Sequence, residues 1–396
     1  MPVNSQQTDR GPLQGQAPPE DTERRSERLL GPETTWQRRL PQPAVPERET
    51  RAVPSRTWPE HGSDFRRSHV VFDNAHHGEW LDTVVAQSVT GAAATQPSHI
   101  VRCVPCQLIH AWPLPDEAAL TQYYQTTFYQ RSHPDYVARY ERDREWWIMT
   151  HQTILMAALP HVPVIQEWEG GGHRHLPSLL EIGSGPGIAL DVAKAMGCRT
   201  FGLELDATLA ASTRARGHSI REESWQTFHV THGHPVFDLV YVYEVLEHQV
   251  NPEALLLACW DFLRVGGVLV VEVPNDYNPL QLAACARHGL SPWWLAPPEH
   301  LTYFTPETLR LLMRRCGFDL VVYRSTYPME QFLLAEPPVL YVGNDLLGRI
   351  CHEQRMATEL AQWKAGQWSA VDTAYTEQLQ HEGSGRELVA IATKRP

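Results

Sequence analysis

No stretch of this chain is long and apolar enough to cross a bilayer, and the opening MPVNSQQTDRGPLQGQ lacks the apolar centre of a secretory signal. Acidic residues within the first sixty also argue against a transit peptide. The seven cysteines are scattered and build no disulfide framework, so a reduced, cytoplasmic setting is expected. Basic charge is short: the net charge is −12, yet residues 1–67 hold 11 arginines against 10 acidic residues. The deficit therefore lies in the rest of the chain, and an acidic body repels phosphate backbones, which excludes nucleic acid as the expected partner. Residues 1–65 also lack apolar periodicity. With ten prolines they read as a disordered extension, having too little to bury against the entropy of folding.

The remainder is rich in what a globular enzyme needs. Hydrophobic residues make up 42% of the chain, with 13 Trp and 13 Tyr. Residues 69–115 read as short strands and turns around Cys103-Val-Pro-Cys106. PDEAALTQYYQTTFYQ and PDYVARYERDREWWIMTHQTILMAAL then carry aromatic and aliphatic residues at helical spacing. The turn-rich QEWEGGGHRHLPS separates them from a unit of alternating strands and helices. SLLEIG, RTFGLELD, FDLVYVYEV and GVLVVEVP are near-continuous apolar strands. A helix closed by Gly197 follows the first, and a helix over Pro252–Arg264 has Asn251 as its N-cap and Gly266 past its end. That alternation predicts a parallel sheet covered on both faces. No internal repeat is present.

A glycine turn, Gly183-Ser-Gly185-Pro-Gly187, follows the first strand. A dinucleotide fingerprint needs G-x-G-x-x-G, but Ile188 stands where the third glycine belongs and Pro186 stiffens the turn. A ligand with an adenosine and a charged amino acid end, but no diphosphate, suits the loop better. Glycines there let the backbone approach a ligand closely, and Glu181 can face an ammonium group. Glu204 ends the second strand, where a carboxylate accepts hydrogen bonds from ribose hydroxyls.

LLEIGSGPG, FGLELD, FDLVYVYEVLEHQVNP, LRVGGVLVVEVPN and PPEHLTYFTPETLRLLMRRCGF, in this order over residues 178–323, resemble the class I S-adenosylmethionine-dependent methyltransferases. The resemblance implies an α/β fold with a seven-stranded Rossmann-like sheet ending in an antiparallel hairpin. It also implies S-adenosyl-L-methionine as cofactor. By that resemblance Glu181, Gly183, Ser184, Gly185 and Gly187 line the methionine end, and Glu204 and Leu205 lie at the ribose. Glu223 is the candidate at the adenine, with Trp225 as a stacking wall, and Tyr243 closes the strand end. The expected domains are the extension over 1–65, a small Cys-containing module with a helical lid over 66–175, the cofactor-binding methyltransferase domain over 176–325, and a helical appendage with a final edge strand over 326–396.

Glu244-Val-Leu-Glu247-His248 follows the fourth strand, beyond the carboxyl edge where ligands gather. On a helical turn Glu244, Glu247 and His248 share one face, and His300 in PPEHLTYF can join them. Two carboxylates and imidazoles suit a divalent cation. The E-x-x-E-H pattern resembles the metal-binding motif of ubiquinone-pathway O-methyltransferases and of small-RNA 2′-O-methyltransferases. The alternative is a metal-free site in which His248 or His300, beside Glu247, takes the acceptor's proton. Trp293, Trp294, Tyr303 and Phe304 are candidate walls of the acceptor pocket, with a core role as the alternative.

Cys103-x-x-Cys106 has zinc-knuckle spacing but needs two more ligands, for which Asp73, His76 and His77 are the upstream candidates. CVPCQLIHAWPLPDEAALTQYYQTTFY resembles the second half of the zinc-binding module of some sugar C-methyltransferases, whose first cysteine pair is missing here. A mixed Cys/His zinc site and a metal-free relic packed as core both remain open. The expectation is methyl transfer to a small-molecule acceptor at oxygen, with a carbon or nitrogen acceptor, or a non-catalytic binding protein, as alternatives.

Overall fold

A computed structural model describes residues 69–71, 76–85, 97–163, 176–232, 235–366 and 368–395. The expected extension, the candidate ligand Asp73 and most of QEWEGGGHRHLPS lie outside them. Phe65–Pro396 forms one compact unit.

The unit begins with antiparallel strands β1 (His69–Val71), β2 (His77–Val85), β3 (Pro97–Cys103) and β4 (Ile109–Trp112). Helix α1 (Glu117–Thr126) follows. Asp116 caps it, its side chain accepting the Ala119 N–H at 3.0 Å. A π-helical turn over Phe128–Ser132 leads to α2 (Tyr136–Arg142) and α3 (Arg144–Ala158).

The α/β part carries β5 (Ser178–Ile182), α4 (Ile188–Ala195), β6 (Arg199–Leu203), α5 (Ala207–Ala215), β7 (Ser219–Arg221) and α6 (Trp225–Thr231). It continues with β8 (Phe237–Tyr243), α7 (Pro252–Phe262), β9 (Leu263–Pro274) and α8 (Pro279–His288). Then come β10 (Thr302–Tyr303), α9 (Pro306–Arg315), β11 (Phe318–Ser325), α10 (Glu330–Leu334), α11 (Asp345–Lys364), α12 (Trp368–Glu382) and β12 (Glu387–Lys394). Seven strands form one sheet in the order β11-β12-β9-β8-β5-β6-β7. The pairs among β5 to β9 are parallel, and β12 runs antiparallel to both β9 and β11.

Alternation along the strands explains the unbroken apolar runs. On β8, Val240 and Val242 enter one core with Leu255, Phe262, Leu309 and Leu312, while Leu239 and Tyr241 enter the other with Leu155, Leu190 and Ala193. At the start of β5 the buried Asp238 accepts from the Ser178 N–H and Oγ, both at 2.7 Å, fixing the register of β5 and β8.

The structure corrects several sequence expectations. The helix from Pro252 stops at Phe262, so Leu263 and Arg264 open β9. Its cap is as read, with Asn251 Oδ1 accepting the Ala254 N–H at 3.0 Å. The final strand is no edge strand: β12 inserts between β9 and β11 and is buried along most of its length. Thr302 and Tyr303 leave the α/β sheet to pair with His110 and Ile109, so the N-terminal sheet has five strands, one supplied from nearly 200 residues downstream.

Candidate active site

The carboxyl ends of β5, β6 and β8 open on a cavity of about 380 Å³, a ligand-sized volume. The glycine turn between β5 and α4 forms its floor. Gly183 and Ser184 donate their N–H groups to the Leu203 carbonyl at 2.9 and 3.0 Å. Gly185 donates to Glu204 Oε2 at 2.6 Å, and Asp206 donates to Glu204 Oε1 at 2.8 Å. Gly185 has φ +47°, and a Cβ there would point into the cavity with only Tyr129 Oη near, at 3.8 Å. Gly187 differs from expectation because it does not line the cavity. With φ +74° it starts α4, and a Cβ on it would strike Thr213 Cγ2 at 2.6 Å.

Acidic groups dominate the walls. Burial pushes the Glu204 carboxyl up to about 7, against the pull of its two backbone N–H donors. Burial likewise holds Glu181 well above the usual carboxylate range, and its Oε2 has no hydrogen-bond partner. Ser184, Leu205, Glu223 and Trp225 also line the cavity. Glu223 pairs with His232 at 2.9 Å, and Trp225 donates from its indole to Gln249 Oε1 at 2.8 Å. Among the described residues, Arg139 is the only Lys or Arg on the wall.

Beyond Tyr243, which also lines the cavity, the expected helical turn does not form. Glu244 donates its N–H to the Glu272 carbonyl at 3.2 Å with φ +50°, and only Leu246–His248 turn, as a 3₁₀ helix. Glu244 is thereby separated from the cluster predicted for it. One ligand atom each of Glu247, His248 and His300 instead lie within 4.8 Å of one another. Glu244 remains on the cavity wall, 3.5 Å from Tyr140 Oη, its carboxyl raised to about 7 by burial and by Glu247.

The Glu247 side chain is 1% exposed, and neither carboxylate oxygen accepts a hydrogen bond; Oε1 lies 3.5 Å from His248 Nε2. Burial pushes this carboxyl up to about 8. His248 Nδ1 donates to the Glu299 carbonyl at 2.8 Å, which leaves Nε2 as the lone-pair nitrogen. Burial lowers the pKa of His248, and burial with the neighbouring His248 ring lowers His300 to about 3, so both imidazoles are neutral near pH 7.

Tyrosines that the sequence reading did not assign to the site cover this end. Tyr124, Tyr129, Tyr136 and Tyr140 from α1, the π turn and α2 line the cavity. Tyr124 Oη lies 3.0 Å from His248 Nδ1, Tyr123 Oη donates to Glu299 Oε1 at 2.6 Å, and Gln130 donates to Asp206 at 2.8 Å. Tyrosine repetition at helical spacing was the available signal: a merely packed face has no need of so many hydroxyls. His151 also lines the cavity, with Nδ1 2.9 Å from Tyr241 Oη. Trp293, Trp294, Tyr303 and Phe304 do not line it. Trp294 and Tyr303, with Trp293 against them, pack with Ile100 and Ile109, and Phe304 joins the core under α9.

The cysteine region is also rearranged. The side chains brought together are His76, Cys103 and His110, whereas the expected His77 belongs to β2 and is not in the group.

Residues 155–323 match the family model described as a methyltransferase domain. The ubiquinone biosynthesis O-methyltransferase of Cereibacter sphaeroides is 38% identical over 88 residues, covering 21% of this chain and 34% of that protein. The same enzyme of Dinoroseobacter shibae is 29% identical over 152 residues, 36% of this chain and 59% of that one. The chain thus spans about a third to three fifths of the curated relatives it matches. A solved S-adenosylmethionine-dependent methyltransferase from Archaeoglobus fulgidus aligns with a TM-score of 0.40 and 18% identity, covering 65% of this chain and 99% of that one.

Proposed function

Because residues 155–323 match the model of a methyltransferase domain and carry motifs that resemble the class I S-adenosylmethionine-dependent type, we propose that this protein transfers the methyl group of S-adenosylmethionine to a hydroxyl oxygen of a small-molecule acceptor. The observation carrying this reading is the cavity's acidic lining. Glu181, Glu204, Glu244 and Glu247 face a space with one described arginine on its wall; a sulfonium or ammonium among them favours their ionised forms, whereas a diphosphate finds almost no cation to pair with. Gly185 leaves room for the backbone to meet that ligand, and Glu204 keeps lone pairs for ribose hydroxyls after binding its two N–H donors.

The methyl donor supplies an electrophilic carbon whose bond to sulfur breaks as the acceptor oxygen attacks in line, the electron pair passing to sulfur. His248 is the group to take the hydroxyl proton. Its Nδ1–H is committed to Glu299, so Nε2 presents a lone pair, and a neutral imidazole is ready to accept at neutral pH. Glu247, His248 and His300 also fit a divalent cation: the buried Glu247 oxygens lack hydrogen-bond donors, and two imidazole nitrogens lie within reach. Such a cation supplies Lewis acidity to an acceptor oxygen. The tyrosines of the lid exclude water and shape the acceptor space.

The test is incubation with isotopically labelled S-adenosylmethionine and fractionated small-molecule extracts, with and without chelator, read by mass spectrometry. Label appearing on oxygen of a small molecule supports the reading. Label on carbon or nitrogen changes the acceptor, and binding without any transfer, unaltered in a Glu247→Ala/His248→Ala variant, removes the catalytic reading. Transfer indifferent to chelator removes the cation.

A further inference from the structure

We infer that the hairpin joining β3 and β4 is a structural zinc centre held by His76, Cys103, Cys106 and His110, a site separate from the cavity and independent of the methyl-transfer reading. The argument starts from the backbone. Cys103 ends β3, and the chain reverses through Val104–Gln107, with the Cys103 N–H bonded to the Leu108 carbonyl at 2.8 Å and the Gln107 N–H to the Cys103 carbonyl at 3.1 Å. Gln107 takes φ +63°, the left-handed conformation that folds a chain back sharply after a second cysteine. The turn sets the Cys106 thiol beside that of Cys103, and the two side chains touch.

His110 on β4 faces the same point. Its side chain contacts both Cys103 and Cys106. It is 4% exposed, its Nδ1 lies 2.8 Å from the Ala111 carbonyl, and its buried Nε2 has no hydrogen-bond partner. That arrangement fixes the proton on Nδ1 and turns the Nε2 lone pair toward the thiols, the second-sphere pattern of a histidine ligand. His76 arrives from the other side because Gly78 opposite Cys103 lets β2 lie against β3; a Cβ on Gly78 would be 1.9 Å from the Arg102 carbonyl oxygen. Ligand atoms of His76, Cys103 and His110 lie within 4.8 Å of one another. Cys106 lies outside that group, but its side chain touches those of Cys103 and His110, so the short shift of one thiol completes the four. Two sulfurs and two imidazole nitrogens around one point make a closed tetrahedral zinc set with no position left for a substrate.

The site is wired to the cavity by backbone. His110 pairs with Thr302 across β4 and β10, the Ala111 N–H donates to the Leu301 carbonyl at 2.8 Å, and the Leu301 N–H donates to the Glu247 carbonyl at 2.8 Å. Zinc at the hairpin would hold the strand against which Glu247 and His300 are registered.

The full-length protein, purified without chelator, is expected to carry about one zinc per chain by elemental analysis. Cys103→Ser and His110→Ala should each lose at least ~90% of it, while His77→Ala and His300→Ala keep it. Should the variants fail to fold, wild-type protein stripped of metal and titrated with Co²⁺ gives the decision. A thiolate-to-cobalt charge-transfer band with tetrahedral visible bands at one equivalent supports the site. Zinc retained by His110→Ala, zinc lost from His300→Ala instead, a Cys103–Cys106 disulfide in the native protein, or a cobalt spectrum without thiolate bands would each overturn it. None of these readouts depends on whether the protein transfers a methyl group.

Discussion

Gly185 donates its backbone N–H to a buried oxygen of Glu204, 19 residues later, at 2.6 Å. One carboxylate therefore shapes the glycine loop of β5 and faces the cavity from the end of β6. Glu204→Ala should weaken binding of S-adenosylhomocysteine at least ~10-fold, or about 1.4 kcal/mol, with Gly185→Ala similar because its Cβ enters the ligand space. Calorimetry decides; equal affinities for wild type and both variants would remove the assigned cofactor site.

The Glu247 carboxyl, raised to about 8 by burial, must lose its proton to hold a cation, whereas His248 and His300 are already neutral. Mn²⁺ affinity should climb about tenfold per pH unit up to about pH 8 and then level off. Proton release on binding, measured in buffers of different ionisation enthalpy, should approach one at low pH and none above the plateau. Binding independent of pH would contradict this assignment.

Glu272 is 1% exposed, accepts no hydrogen bond at either carboxylate oxygen, and is held well above the normal carboxylate range by burial and by Glu244 and Glu387. Folded, it keeps its proton; unfolded, it releases it above about pH 4.3. Its protonation thus favours the fold at low pH, and that advantage fades as pH rises toward the folded value. Glu272→Gln should raise Tm at neutral and alkaline pH, with the gap from wild type closing as pH falls toward the unfolded value. A gap constant across pH would show that this proton is not linked to folding.

Gly187 and Gly197 both have positive φ, but their surroundings differ. A Cβ at Gly197 (φ +88°) meets nothing within 4 Å, whereas one at Gly187 meets Thr213 and Arg216 at 2.5–2.6 Å. Gly197→Ala should cost ~1–2 kcal/mol for the backbone conformation alone. Gly187→Ala should cost clearly more, by urea denaturation. Equal losses would mean that α5 yields freely.

The α/β sheet was legible because both its faces are covered, so its strands are written as unbroken apolar runs that short-range patterning can find. The cap at Asn251 was legible from equally local pattern, and its Oδ1 accepts the Ala254 N–H. What escaped was decided at long range. Thr302 and Tyr303 carry no signal that their partners are His110 and Ile109, so nothing local could decide between pocket wall and core for Tyr303, and the structure shows core. Spacing alone put Glu244 on a helical face, but the Glu272 carbonyl captures its N–H, the helical turn does not form there, and Glu244 stays out of the Glu247, His248 and His300 group. That His110 comes beside Cys103 was not legible, because a side chain on the strand after the turn is placed by hairpin register and not by a fixed interval.

The two-residue strand β10 makes the small sheet and the large one interdependent. A fragment beginning at residue 176 would keep every strand of the seven-stranded sheet, yet leave Thr302–Tyr303 with an open edge and Leu301 without the Ala111 N–H it now accepts. Deleting this front module to obtain a smaller protein would therefore loosen the strand to which Glu247 and His300 are tied, besides removing the tyrosines that share their cavity.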